Sequence, residues 1–199
     1  MPMDQVIDPS ANSEAWQESP LDLARQDFLE TTNGNLGLLG GMPVAVAAGM
    51  CLHRIRMESG LEIALPTKYI VMCGVRDLDP LERELLDRSE VEMISVDDLR
   101  HKPDRIHAQM QRLSELTDKI YVHIDMDVLD PREVSGHGLT VPGGPTSDEL
   151  AAALTLMFGY EKAAALGIAS YPAGRDEDKL SLKAAYTLVR GAIEGIKAR

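Results

Sequence analysis

The chain is poor in cysteine, in positive charge and in long apolar runs, and each shortage removes a class of protein. Two cysteines in 199 residues, Cys51 and Cys73, each sit inside an apolar stretch (AAGMCLH and YIVMCGV). They form no CxxC pair, and read as buried thiols instead of a zinc or redox site. Twenty Lys and Arg against 32 Asp and Glu leave a formal charge of −12. That charge repels nucleic-acid phosphates and anionic membrane surfaces, so neither is an expected partner. No apolar run approaches the roughly 18 to 20 residues of a membrane span. The start, MPMDQVIDPS, has neither the basic nor the apolar part of a secretory signal, so the cytoplasm is the expected compartment. Also missing are a Gly-x-Ser-x-Gly elbow, a phosphate-binding P-loop and a dinucleotide glycine pattern after a strand. GNLGLLGG (34–41) has the glycines but follows no convincing strand.

What is present is an ordinary globular composition, 44% apolar and 26% charged, and a length that suits one domain. Residues 1–20 hold four acids, no base and neither hydrophobic period, which reads as a mobile acidic tail ahead of a domain over 21–199. Within the domain, GGMPVAVAAGMCLHRIRMESG (40–60) reads as one buried helix closed by Gly60. KYIVMCGV (68–75), VEMIS (91–95), KIYVHIDMDV (119–128) and AAALGIAS (163–170) read as buried strands. Between them, DPLERELLDR and a segment from about Pro103 read as helices, and Thr146 with Glu149 forms a capping box ahead of LAAALTLMF. A C-terminal helix carries an apolar stripe through Leu182, Ala185, Val189, Ala192 or Ile193, and Ile196. Strands alternating with helices, and too apolar to face water, predict an α/β fold with a parallel sheet covered on both faces.

Ligands in such sheets bind where strands stop. Two strand ends are acidic. In Asp125-Met126-Asp127-Val128-Leu129-Asp130-Pro131, an extended chain points Asp125 and Asp127 the same way. Two such carboxylates repel unless protonated or bridged by a cation, and oxygen donors suit Mg²⁺ or Mn²⁺. The alternative is a turn cap before Pro131. In Arg76-Asp77-Leu78-Asp79-Pro80-Leu81-Glu82, Asp79 and Glu82 read either as a helix cap with Arg76 as ion-pair partner or as an acidic rim for a cationic ligand.

HIDMDVLDP followed by GHGLTVPGGPTSDEL resembles the signature of the ureohydrolase superfamily, the manganese-dependent arginases, agmatinases and formimidoylglutamases. GVRDLDPLE, LGGMPVAVAAG and GIASYP extend the resemblance from about Asp27 to the C-terminus. It implies a three-layer α/β/α sandwich with a mainly parallel sheet, arginase-like but N-terminally incomplete. It also implies hydrolysis of a guanidino compound, L-arginine first among them, to urea. By the same resemblance Asp27, Asp125 and Asp127 are metal ligands for Mn²⁺, and Asp79 and Glu82 hold the substrate's amino end; apart from the resemblance, the place of His137 in the loop after the Asp pair makes it a candidate general acid.

The departures are equally specific. The family's Asp-Ala-His-x-Asp aligns with Leu23-Ala24-Arg25-Gln26-Asp27, its Gly-Gly-Asp-His is absent, Gly40 replaces a His, and Ala169 or Ser170 stands where a Glu is expected. A cluster so depleted makes a poor source of metal-activated water. A second expectation is therefore a non-catalytic paralogue, a homo-oligomer or a subunit packed on a complete relative. A third, a haloacid-dehalogenase-like phosphohydrolase using Asp125 as nucleophile, has only 69 residues after Asp130 for its remaining motifs.

Overall fold

The computed structural model describes residues 42–199. The tail read over 1–20, the ligand candidate Asp27 and the altered positions 23, 25 and 40 lie outside the described residues. The described chain divides into two compact units, one of residues 42–64 with 79–82 and a larger one of 65–78 with 83–199.

In the smaller unit the single helix expected over 40–60 is two short ones, α1 (Pro43–Ala47) and α2 (His53–Glu58). Gly49 separates them. Its φ of +74° is left-handed, and a Cβ there would lie 2.6 Å from the Ala64 Cβ, so the chain turns where a continuous helix would have run. Arg56 is buried, and its guanidinium donates to the Leu61 and Glu62 carbonyls at 2.5 and 2.7 Å.

The larger unit alternates strand and helix: β1 (Val71–Cys73), α3 (Pro80–Asp87, its first turn grouped with the smaller unit), β2 (Glu92–Ile94), α4 (Val96–His101), α5 (Pro103–Leu116), β3 (Ile120–Asp125), α6 (Ser147–Phe158), β4 (Ala163–Ala169) and α7 (Leu180–Lys197). Both strand pairings are parallel. β1 pairs with β2, Cys73 opposite Ile94, and β3 pairs with β4, Asp125 opposite Ala169. Among the described residues these remain two two-stranded sheets. Helix starts follow local chemistry. Ser95 and Asp98 box the start of α4, Thr146 and Glu149 box α6 as the sequence predicts, and Pro103 opens α5.

One core joins these elements. Ile94, Ile106, Met110, Ile124, Met126, Leu129, Leu154 and Leu188 pack in it, with Val71, Val122, Leu166 and Ile168 against its margin. β3 alternates instead of being buried on both faces. Val122 and Ile124 face the core, whereas Tyr121 is 62% exposed and His123 is exposed beside it.

The stripe read along the last helix is split: Ala192 lies in the core and Ala185 packs against it, but the branched residues of its C-terminal half point outward. Val189, Ile193 and Ile196, with Tyr186, are exposed, while α7 buries Ser181, Ala184, Leu188, Gly191 and Gly195. The reason is close approach: a Cβ on Gly191 would run into the Ala151 carbonyl of α6 and one on Gly195 into the Thr155 carbonyl. Thr155 Oγ1 donates to the Gly191 carbonyl at 3.0 Å across the same contact. Small residues let two backbones meet at Gly191 and Gly195, and of the larger apolar residues Leu188 is fully buried while Val189, Ile193 and Ile196 are left outside.

Replacing Gly191 with Ala adds a methyl group that helix propensity favours by about 1 kcal/mol but that this contact has no room for. The expected net result is a loss of about 1–3 kcal/mol in urea denaturation. An unchanged or raised midpoint overturns this packing account.

Candidate active site at the end of β3

β3 ends at Asp125, and the chain then tightens into a 3-10 turn over Met126–Val128. Asp127 is therefore in that turn and not in an extended strand as the period-two reading supposed. The two carboxylates nonetheless meet, because the Asp127 amide donates to Asp125 Oδ1 at 3.3 Å and the fully buried Met126 anchors the turn. Both acids are half-buried. Burial above all, then the adjacent Asp125 charge and a hydrogen bond between the two side chains, push the Asp127 carboxyl up to about 6, while His137 and Arg76 pull the other way.

Asp130 does a different job. It is 4% exposed and accepts from the Arg132 amide at 3.1 Å, from Arg132 Nε at 2.7 Å and from the Gly143 amide at 2.9 Å. Chiefly through Arg132, these donors hold its carboxyl at about 2. Gly143 (φ +85°) and Gly144 follow from this, since a Cβ on Gly144 would come within 2.6 Å of the Val128 carbonyl oxygen and the Asp130 nitrogen. The turn cap that the sequence offered as an alternative for Asp127 or Asp130 is thus realised by Asp130, leaving Asp125 and Asp127 to face each other.

Arg76, read from the sequence as an ion-pair partner in a cap, does something else. Its Nη1 donates to the Gly74 and Val128 carbonyls at 2.9 and 2.7 Å, and its Nη2 to the Val141 carbonyl at 2.7 Å. Burial pulls this guanidinium below its ordinary range against the opposing charges of Asp127 and Asp130. A base directly after a strand was the only sequence signal for this role.

His137 comes to the site as the loop reading allowed. Its Nε2 hydrogen-bonds the Ser170 carbonyl. A carbonyl can only accept, so Nε2 carries the proton and a neutral ring presents Nδ1 as a base. Ser170, which sequence reasoning knew only as a departure, supplies this bond from a left-handed backbone (φ +59°). Ala169, beside Asp125 in the β3–β4 register, brings no carboxylate there. The other histidines lie elsewhere: His123 bonds the Tyr121 hydroxyl at 3.2 Å, and exposed His101 pairs with Asp97. Asp79 and Glu82 are in the smaller unit, where the Asp79 amide donates to Glu82 Oε2 at 3.0 Å. That bond is half of a capping box.

The two-ion manganese site that the resemblance implies does not fit these residues. Among the described residues, no group of three or more His, Cys, Asp or Glu stands together to hold a metal. Asp125 and Asp127 offer hard oxygens with no imidazole, and they already satisfy each other in part.

The raised Asp127 carboxyl makes a test by pH. Its folded value lies above the ordinary carboxylate value of 3.8, so its stabilising contribution is complete at low pH and is lost as pH rises through about 6. With chelator present, the melting temperature of Asp127→Asn is expected to gain on that of the unaltered chain between pH 4 and pH 8. A gap independent of pH contradicts the assignment.

Comparison with known proteins gives this geometry its context. The model of the Arginase family matches residues 27–193. The arginase of Brevibacillus brevis is 30% identical over 114 residues, 54% of this chain and 37% of that protein. The arginase of Brucella melitensis is 34% identical over 144 residues, 63% of this chain and 42% of that one. The chain thus spans about two fifths of the length of these curated relatives. Among solved structures, native arginase from Bacillus caldovelox superposes with a TM-score of 0.73 at 24% identity, covering 86% of this chain and 58% of its own. Formimidoylglutamase from Bacillus subtilis follows with 0.63 at 22% identity, covering 74% and 46%. Among the described residues no helix is long and apolar enough to cross a membrane. The α/β fold is that of the arginases, and the chain belongs to the arginase family.

Proposed function

We propose that this chain is a ureohydrolase acting slowly on a guanidino compound, with L-arginine as the first candidate, and that its working site is the end of β3. The observation that carries the reading is the half-buried Asp125–Asp127 pair, with His137 bonded to the carbonyl of Ser170, the residue that follows Asp125's register partner Ala169. A planar guanidinium cation suits two adjacent carboxylates, to which it donates paired N–H groups. In the reaction, water adds to the guanidinium carbon and gives a proton to Nδ1 of His137. The carbon–nitrogen bond to the side chain then breaks as the departing amine takes that proton, and the remaining hydroxyl proton passes through solvent to the amine, leaving urea and an alkylammonium ion. The described residues do not fit a two-ion centre, so the chain's own groups carry these proton transfers. The cytoplasm is its proposed place.

Two measurements test the reading together. Urea release from L-arginine, assayed with and without added Mn²⁺, is expected above the level of an Asp125→Asn/Asp127→Asn double variant. No excess over that variant removes the proposed activity. Elemental analysis after purification with Mn²⁺ is expected to find fewer than two ions per chain, and two tightly held ions would overturn the account of a depleted site.

A second reading has its own support. β4 runs AAALGIA without a charge or a proline, and among the described residues it pairs on one edge only. Such edges invite another chain. We propose on this ground that the protein works as an oligomer or beside a complete relative. Light scattering after size exclusion is expected to give a mass above that of one chain, and a monodisperse monomer would count against it.

A further inference from the structure

The loop that carries His137 is fastened to the chain beyond β4 through two carboxylates that share the Ser135 hydroxyl, Asp178 at 2.7 Å and Asp176, of which Asp176 makes the wider set of bonds. Asp176 Oδ1 accepts from Ser135 Oγ at 2.6 Å and from the Ser181 amide at 2.9 Å. Its Oδ2 accepts from the Leu182 amide at 2.9 Å and from the Tyr171 hydroxyl at 3.1 Å. One side chain therefore satisfies two amides at the start of α7 and grips a residue in each of two loops. Burial pulls this carboxyl up, but the Ser135, Ser181, Leu182 and Tyr171 donors outweigh it and hold the group at about 2.

Ser135 is tied on its backbone as well. Ser181, which has no exposed surface, accepts from the Ser135 amide at 2.9 Å and donates to the Ser135 carbonyl at 3.0 Å. Next comes Gly136, with φ of +72°, lying so near Arg175 that a Cβ would be 2.6 Å from its carbonyl oxygen. Then comes His137, bonded to the carbonyl of Ser170, the neighbour of Tyr171. The imidazole and the carbonyl that fixes its tautomer thus stand within two residues of groups held by Asp176. Neither proposal above gives these residues a part.

We propose that Asp176 is a positioning residue: acting through Ser135 and Tyr171, it seats His137 against the Ser170 carbonyl beside the Asp125–Asp127 pair. The chemistry of that seat rests on the reading of the β3 end as the working site, whereas the seating itself does not. Asp176 touches no reacting atom. It fixes which nitrogen of His137 is protonated and where the other one points, an effect that side chains at a distance from the chemistry exert through orientation.

Imidazole signals from the full-length chain test the seating without any turnover. With the His137 resonance identified by its loss in His137→Gln, Ser135→Ala and Asp176→Asn are each expected to move it to the position of a free histidine. Ser135→Thr, which keeps the hydroxyl, is expected to restore it. Ser135→Ala leaves the two α7 amides on Asp176, so it serves even if Asp176→Asn does not fold. A role confined to capping α7 would lower the melting temperature of Asp176→Asn and leave the His137 signal of Ser135→Ala in place, and that result overturns the proposal. Where urea release is measurable, Ser135→Ala is expected to lower kcat about a hundredfold with little change in KM. A fall in KM-dependent binding alone, with kcat intact, also overturns it. If the unaltered chain releases no urea while the signal still moves in Ser135→Ala, the proposed activity fails and the positioning role stands.

Discussion

A half-buried cation, Arg76, sets the terms for the end of β3. Its guanidinium gathers three carbonyls, from the end of β1, from the turn after β3 and from the loop before α6. In doing so it fixes how far the strand ends and the loop can separate. A buried charge satisfied only by dipoles is costly unless opposite charge stands near. Here the opposite charges are Asp127 and Asp130. Asp130 answers by closing the glycine turn through Gly143, and Asp127 is left half-buried against a second carboxylate. The pair at the site is thus acidic, close and unable to carry two full charges cheaply, which is the state a cationic guest relieves.

Much of this was legible in residue order. Parallel strands announced themselves as apolar runs stopped by acids, and the Thr146 box placed the start of α6. The strand-end rule led to Asp125, Asp127 and His137 before any geometry. What could not be read depends on contacts between distant residues. Nothing local says that Arg76 will serve carbonyls 52 and 65 residues away. Nor does it say that Ser170 will lend its carbonyl to His137. The last helix shows the limit most clearly. Its period of 3.6 was correct and the Ala192 alternative lies in the core, but Val189, Ile193 and Ile196 face outward, because glycine meets α6 and distance of approach outweighed side-chain size. The 40–60 segment failed similarly, where the left-handed conformation at Gly49 decided against one continuous helix.

Membership of the arginase family and departure from its ligand set are compatible, since fold and site answer to different residues. Packing of α5, α6 and α7 on parallel strands needs small and apolar side chains at particular registers, and this chain has them. A metal centre needs imidazoles and carboxylates converging from several strand ends, and among the described residues only the Asp125–Asp127 pair converges. Ala169 stands opposite Asp125 in the register, and its side chain brings no charge. The scaffold therefore still points the end of β4 at the site without furnishing it.

The exposed side of α7 ties the protein's colloidal behaviour to salt. Tyr186, Val189, Ile193 and Ile196 present an apolar ridge to solvent, on a chain whose charge of −12 pushes copies apart. At low ionic strength that repulsion reaches well beyond the ridge. Near 1 M salt it is screened within about 3 Å, and the attraction between ridges acts unopposed. The excess of acid thus opposes contact between these ridges most strongly at low ionic strength, and the salt content of the buffer sets how far it does so.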